Sequence, residues 1–128
     1  MRFSCPLKSI PLSVLLLVTF LAGGCGDTDQ PPTAISLDKI PAEFGKVFAS
    51  AKGDTKELSS LAVTAVQSKE FSKAAMALDA LARRTDLSKI QSRTATGAAM
   101  SVNAALLEAE SKGDPQAAQT LNLRRNTK

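Results

Sequence analysis

The sequence predicts an all-α protein, and three observations lead there. Alanine and leucine dominate an apolar content of 44%, whereas aromatic residues make up 4% and Trp and Tyr are absent. Alanine and leucine favour helices, while β-branched and aromatic residues favour strands. Apolar residues recur at spacings of three and four between helix start and stop signals, and no stretch of strand length alternates apolar with polar residues. The expected architecture is about five helices stacked as antiparallel hairpins or as an irregular bundle.

The elements follow in order. Pro41 suits a first helical position, because it has no N–H to leave unpaired, and Glu43 lies in the same turn. Phe44, Val47, Phe48 and Ala51 supply one apolar face, and Gly53 reads as the stop. Asp54 followed by Glu57 is a variant capping box for a second helix, whose stripe is Leu58, Leu61, Ala62, Ala65 and Val66. A third helix carries Phe71, Ala74, Ala75, Leu78, Leu81 and Ala82. It ends at Arg83-Arg84, whose charge suits the negative end of a helix. Ser88 with Gln91 is a further capping box, opening a long helix in which Ile90, Ala98, Val102, Ala105, Leu106 and Ala109 share a face. Gly97 weakens the middle of that helix by about 1 kcal/mol relative to alanine. Gly113 closes it, and Asp114-Pro115 opens a short last helix through Leu121. The helical domain is thereby assigned to residues 38–123, and residues 124–128 to a frayed tail.

The N-terminal part has a different character. Residues 1–9 carry Arg2 and Lys8 and no acid; an apolar run centred on residues 14–21 follows, then Ala22, Gly23 and Gly24. A basic start, a short apolar stretch and a small-residue exit form a secretory signal peptide, assigned to residues 1–24. The apolar run falls short of the roughly 20 residues that a permanent membrane helix needs. Leu21-Ala22-Gly23-Gly24-Cys25 resembles the lipobox of bacterial lipoproteins. The resemblance implies that Leu21, Ala22, Gly23 and Gly24 are read by the signal peptidase. It also implies that Cys25 takes a diacylglycerol and becomes the first residue of the mature chain. The alternative is ordinary cleavage near Gly24, leaving Cys25 as a free thiol. Residues 25–37, with Gly26 and Pro31-Pro32, read as a lipid-anchored flexible linker. These readings place the protein in the cell envelope, lipid-anchored at the periplasmic face, with inner and outer membrane both open.

The charge and the missing residue types narrow the chemistry. Arg2 and Lys8 are two of the 16 basic residues, and all 12 acidic residues follow the leader, so the remainder carries 14 basic against 12 acidic groups. A net charge of +2 is too slight to argue for nucleic acid. The chain has no histidine, which removes the commonest general base and metal ligand. Cys5 lies in the leader, so lipidation of Cys25 leaves no thiol for a nucleophile or a zinc site. No glycine-rich phosphate loop is present, and Glu108 and Glu110, two apart on a helix, face different ways. The expectations are no catalytic residue, no metal, no cofactor and no small-molecule substrate. The expected partners are the membrane and another envelope protein, with no nucleic acid.

Three segments echo one another: Ala51-Lys52-Gly53-Asp54, Ser68-Lys69-Glu70-Phe71 and Ser111-Lys112-Gly113-Asp114. Each lies between helical stretches. In residues 61–82, Leu61 and Ala62 followed by Phe71, Ala74, Leu78 and Leu81 resemble one hairpin of a tetratricopeptide repeat. That resemblance implies a stacked, protein-binding scaffold; a generic array of helical hairpins is the alternative. The tail Arg124-Arg125-Asn126-Thr127-Lys128 is loosely similar to the end of envelope lipoproteins joined to peptidoglycan through a terminal lysine. A structural protein contacting peptidoglycan is accordingly the second functional expectation.

Overall fold

The computed structural model describes residues 30–127. They form five α-helices: α1 (Ile40–Val47), α2 (Gly53–Gln67), α3 (Phe71–Ala82), α4 (Lys89–Ser111) and α5 (Pro115–Asn126). No strand occurs among the described residues. Consecutive helices pack together: α2 on α3, α3 on α4, α4 on α5. Helix α1 lies against both α2 and α4, and α5 also reaches α3. Helix α3 and the 23-residue α4 each pack against three other helices and together form the centre of the domain.

One continuous core joins all five helices. Ile40, Phe44 and Phe48 enter it from α1 and the residue that follows, and the two phenylalanine rings meet with centroids 4.9 Å apart. Alanine supplies nearly half of the buried apolar positions, including Ala62, Ala65, Ala74, Ala75, Ala95 and Ala98. The large side chains with no exposed surface to speak of are few: Phe44, Ile40, Leu78, Leu81, Leu106 and Val102. Small residues on facing helices let the backbones come close, so contact area comes from the backbone and Cβ atoms as much as from long side chains.

Several helix ends form as the sequence implies. Ser88 Oγ accepts from the Gln91 N–H at 3.3 Å, and Gln91 Oε1 accepts from the Ser88 N–H at 3.0 Å, which completes the reciprocal box. Asp114 Oδ1 accepts from the N–H groups of Gln116 and Ala117 at 2.8 and 3.2 Å, with Pro115 opening α5. The box expected at Asp54 and Glu57 does not form. Helix α2 starts earlier, at Gly53 with Lys52 as its cap residue, so Asp54 is already inside the first turn. Its carboxylate instead lies 3.4 Å from Arg84 Nη1.

Two expected stripes are corrected. Leu61 is 47% exposed, and the buried face of α2 is Thr55, Ser59, Ala62, Ala65 and Val66. At 100° per residue Leu61 sits about a third of a turn off the centre of that face. Ile90 is 62% exposed, because the buried face of α4 runs through Thr94, Ala98, Val102 and Leu106. Ile90 stands one turn before the first of these, where α4 has only begun. The tail expected to fray from Arg124 is also corrected: α5 continues to Asn126. Arg124 explains the extension, since Nη2 reaches Asp79 Oδ1 of α3 at 2.9 Å and Nη1 reaches Asn103 Oδ1 of α4 at 3.2 Å. Residues expected to belong to the linker are likewise ordered onto the domain: Ile35 and Leu37 pack against the core, and Lys39 N–H closes a turn on Ser36 O at 2.9 Å.

Two of the three echoing segments are the same turn. After α2, the Lys69 N–H bonds Val66 O at 3.0 Å and the Glu70 N–H bonds Ala65 O at 2.8 Å. After α4, the Gly113 N–H bonds Glu110 O at 2.9 Å and the Asp114 N–H bonds Ala109 O at 3.0 Å. Both are Schellman closures, which need a left-handed residue just past the helix. Gly113 takes that place with φ +88°, and Lys69 takes it with φ +58°. The segments align by backbone role one residue away from their alignment by lysine.

Lys69 holds a conformation that glycine adopts without a Cβ penalty. Lys69→Gly is expected to raise unfolding stability by about 0.5–1 kcal/mol, and Gly113→Ala to lower it by about 1 kcal/mol. Urea titration of the two variants, read at constant m-value, checks both signs. The corrected α2 stripe gives a second test. Leu78→Ala is expected to cost about 2–5 kcal/mol, whereas Leu61→Ala costs about 0.5 kcal/mol or less. Similar losses for the two would contradict the placement of Leu61.

Candidate functional site

The residues that the sequence marks most clearly, Leu21, Ala22, Gly23, Gly24 and Cys25, lie outside the described residues, as does Lys128. The site built by the described residues is a different one. Helices α4 and α5 line a surface groove of about 540 Å³. Its α4 wall is Thr96, Ala99, Met100, Asn103 and Leu107, spaced by three and four, hence one stripe along the helix. Its α5 wall is Leu121, Arg124 and Arg125. Met100 and Leu107 are 47% and 45% exposed.

Helix α4 thus has two apolar stripes. One runs through Ala98, Val102 and Leu106 into the core; the other exposes Met100 and Leu107, with Ala99 half-buried against the core beside them. Sequence reasoning finds the first, which holds the longer run of small and branched residues. The second has a signal, Met100 and Leu107 flanking Asn103, but choosing it requires knowing which side α3 covers.

Polar groups fix the rim. Arg124 is held by Asp79 and Asn103 as described, with both charged side chains about 30% exposed. Arg125 Nη1 meets Asn122 Oδ1 at 3.2 Å and its Nη2 meets Glu110 Oε2 at 3.4 Å. The guanidinium groups are therefore oriented, while most of the groove wall is apolar. A shallower apolar depression lies on the α2–α3 hairpin, formed by Leu58, Leu61, Met76 and Ala77 with Lys73 at its edge.

Elsewhere the charges form exposed local pairs. Arg84 grips Asp86 with two bonds, Nε to Oδ1 at 2.9 Å and Nη2 to Oδ2 at 3.0 Å. That hydrogen bonding lowers the Asp86 pKa from its ordinary value and raises that of Arg84, to which Asp54 adds. The Lys112 ammonium, bonded to Glu108, lowers the Glu108 pKa. Both carboxylate pairings favour the folded chain at neutral pH, and that contribution is lost as pH falls through the lowered values.

Among the described residues no three of His, Cys, Asp and Glu are grouped to hold a metal, and no helix is long and apolar enough to cross a membrane. The groove can sequester apolar side chains and align a polar or charged segment against its arginine rim. Comparison of the chain with protein-family models, with curated proteins and with solved structures gives no match.

The Arg124 cluster is expected to fasten the end of α5. A double-mutant cycle of Arg124→Ala with Asp79→Ala should give a coupling of about 0.5–1.5 kcal/mol. A coupling indistinguishable from zero would mean that the pair does not hold the groove wall.

Proposed function

We propose that this chain is a cell-envelope lipoprotein, tethered to a membrane through acylated Cys25, whose helical domain binds another envelope protein in the α4–α5 groove. The observation that carries the binding role is the second apolar stripe of α4, with Met100 and Leu107 open to solvent beside Leu121. A 23-residue helix that already buries one face has no folding need for the other. The arginine rim adds orientation, and a helix laid lengthwise in the groove fits this combination of apolar wall and charged end. We read the hairpins as an irregular stack rather than a repeat array, since Leu61 does not take the packed place that a tetratricopeptide hairpin implies for it.

The anchoring role is supported by the sequence before the domain: basic start, short apolar run, small residues and Cys25 in order. Two or more acyl chains suffice for stable attachment, at about 0.8 kcal/mol per buried CH₂. The absence of histidine supports a binding role over an enzymatic one.

Intact mass of the chain isolated from membranes tests the anchor. The expected species begins at Cys25 with acyl groups attached; a chain that still begins at Met1, or a free Cys25 thiol, overturns it. Photo-crosslinking residues placed at Met100 and at Ile90 test the groove. A single defined adduct at position 100, absent at position 90 and lost in Leu107→Asp, is expected; equal labelling at both positions counts against a groove.

A further inference from the structure

The segment before α1 is bound to α4 in a manner that depends on one missing side chain. The Ile35 N–H donates to Gly97 O at 3.2 Å, across 62 positions of sequence. A Cβ placed on Gly97 would overlap the Thr33 carbonyl oxygen and crowd the Ile35 side chain, with Cγ1 at 3.1 Å and Cδ1 at 3.3 Å. Gly97 is buried in the middle of α4, where alanine would be the better helix former. The glycine is explained by the close crossing of residues 33–35. The segment is otherwise lightly held: residues 33, 34 and 36 are exposed, and Ile35 and Leu37 are only half-buried.

We propose that residues 33–37 are a releasable latch that gives the N-terminal tether two lengths. Docked, the tether ends at Thr33, and the eight steps from Cys25 span at most about 28 Å. Released, it runs on to Ile40, the first buried residue of α1, and the fifteen steps span about 50 Å. The domain stays folded in both states, because α2, α3, α4 and α5 pack on one another without the segment. The role in setting distance from a membrane rests on the lipid-anchor reading; the latch itself does not.

The test uses the full chain in its native form and as Cys25→Ser, so that loss of anchorage and loss of latching are read separately. Gly97→Ala fills the crossing, and Ile35→Ala is the milder variant. Hydrogen exchange is expected to show the Ile35 amide losing protection in both variants, with the amides of α2 to α5 unchanged. Trypsin cleavage after Lys39 should accelerate about tenfold or more, since cleavage follows the open population. On a bilayer, a Cys5→Ser chain coupled through Cys25 to maleimide lipid should form a thicker layer by neutron reflectometry in Gly97→Ala than with Gly97 intact. Unchanged Ile35 protection would show that Gly97 does not hold the segment. Uniform loss of protection across α2 to α5 would make the segment an inseparable part of the core. A layer of unchanged thickness after release would remove the two lengths. Each of these three results overturns the proposal.

Discussion

Close approach of α2, α3 and α4 through alanine is the constraint on which this domain rests. Helix α3 is the clearest case: Ala74, Ala75 and Ala77 are buried beside Leu78 and Leu81, and the helix has neighbours on three sides. Alanine loses no rotamer freedom on burial, so such contacts carry little entropic opposition, but each removes little apolar area from water. The hydrophobic driving force then concentrates in the few large side chains that alternate with the small ones. Phe44, Leu78, Leu81, Val102 and Leu106 connect the layers, and enlarging any alanine between them would push two backbones apart.

A core of this kind leaves the periphery to polar devices of unequal weight. The pairs Lys46–Glu43, Lys73–Glu70 and Lys112–Glu108 lie within single helices, with both partners well exposed. They support their own helix and little else. The contacts that join elements are different. Arg124 ties α5 to α3 and α4, and Gln91 Nε2 reaches Val47 O, the last carbonyl of α1, at 3.4 Å. Gln91 thus closes its own helix with one end of its amide and caps another with the opposite end.

Much of the fold was legible because it is written in local chemistry. Ser88 with Gln91, and Asp114 with Pro115, act within a few residues, so their meaning survives without knowledge of the rest. The errors share a cause. Leu61 and Ile90 are apolar and sit near the right periodicity, yet inward direction is set by where the neighbouring helices lie, which no single helix encodes. From the sequence alone Gly97 is only a weakness in α4, because its reason is a chain segment 62 positions away. The groove was hidden for the same reason: Met100 becomes conspicuous only once Val102 and Leu106 have claimed the core face. The lipobox-like segment proposed around Cys25 is the opposite kind of signal, carried by a handful of consecutive residues.

The paired Schellman closures bear on how the chain acquires its shape. Each joins two helices through a connection of three residues, so α2 with α3 and α4 with α5 can meet almost as soon as they form. Short chain closure is entropically mild and fast. The bonds that bring in α1 and the segment before it, Gln91 to Val47 and Ile35 to Gly97, bridge 44 and 62 positions. The amino-terminal edge thus differs in kind from the two hairpins: α1 meets α2 across five residues, but its hold on α4 runs only through partners far away in sequence.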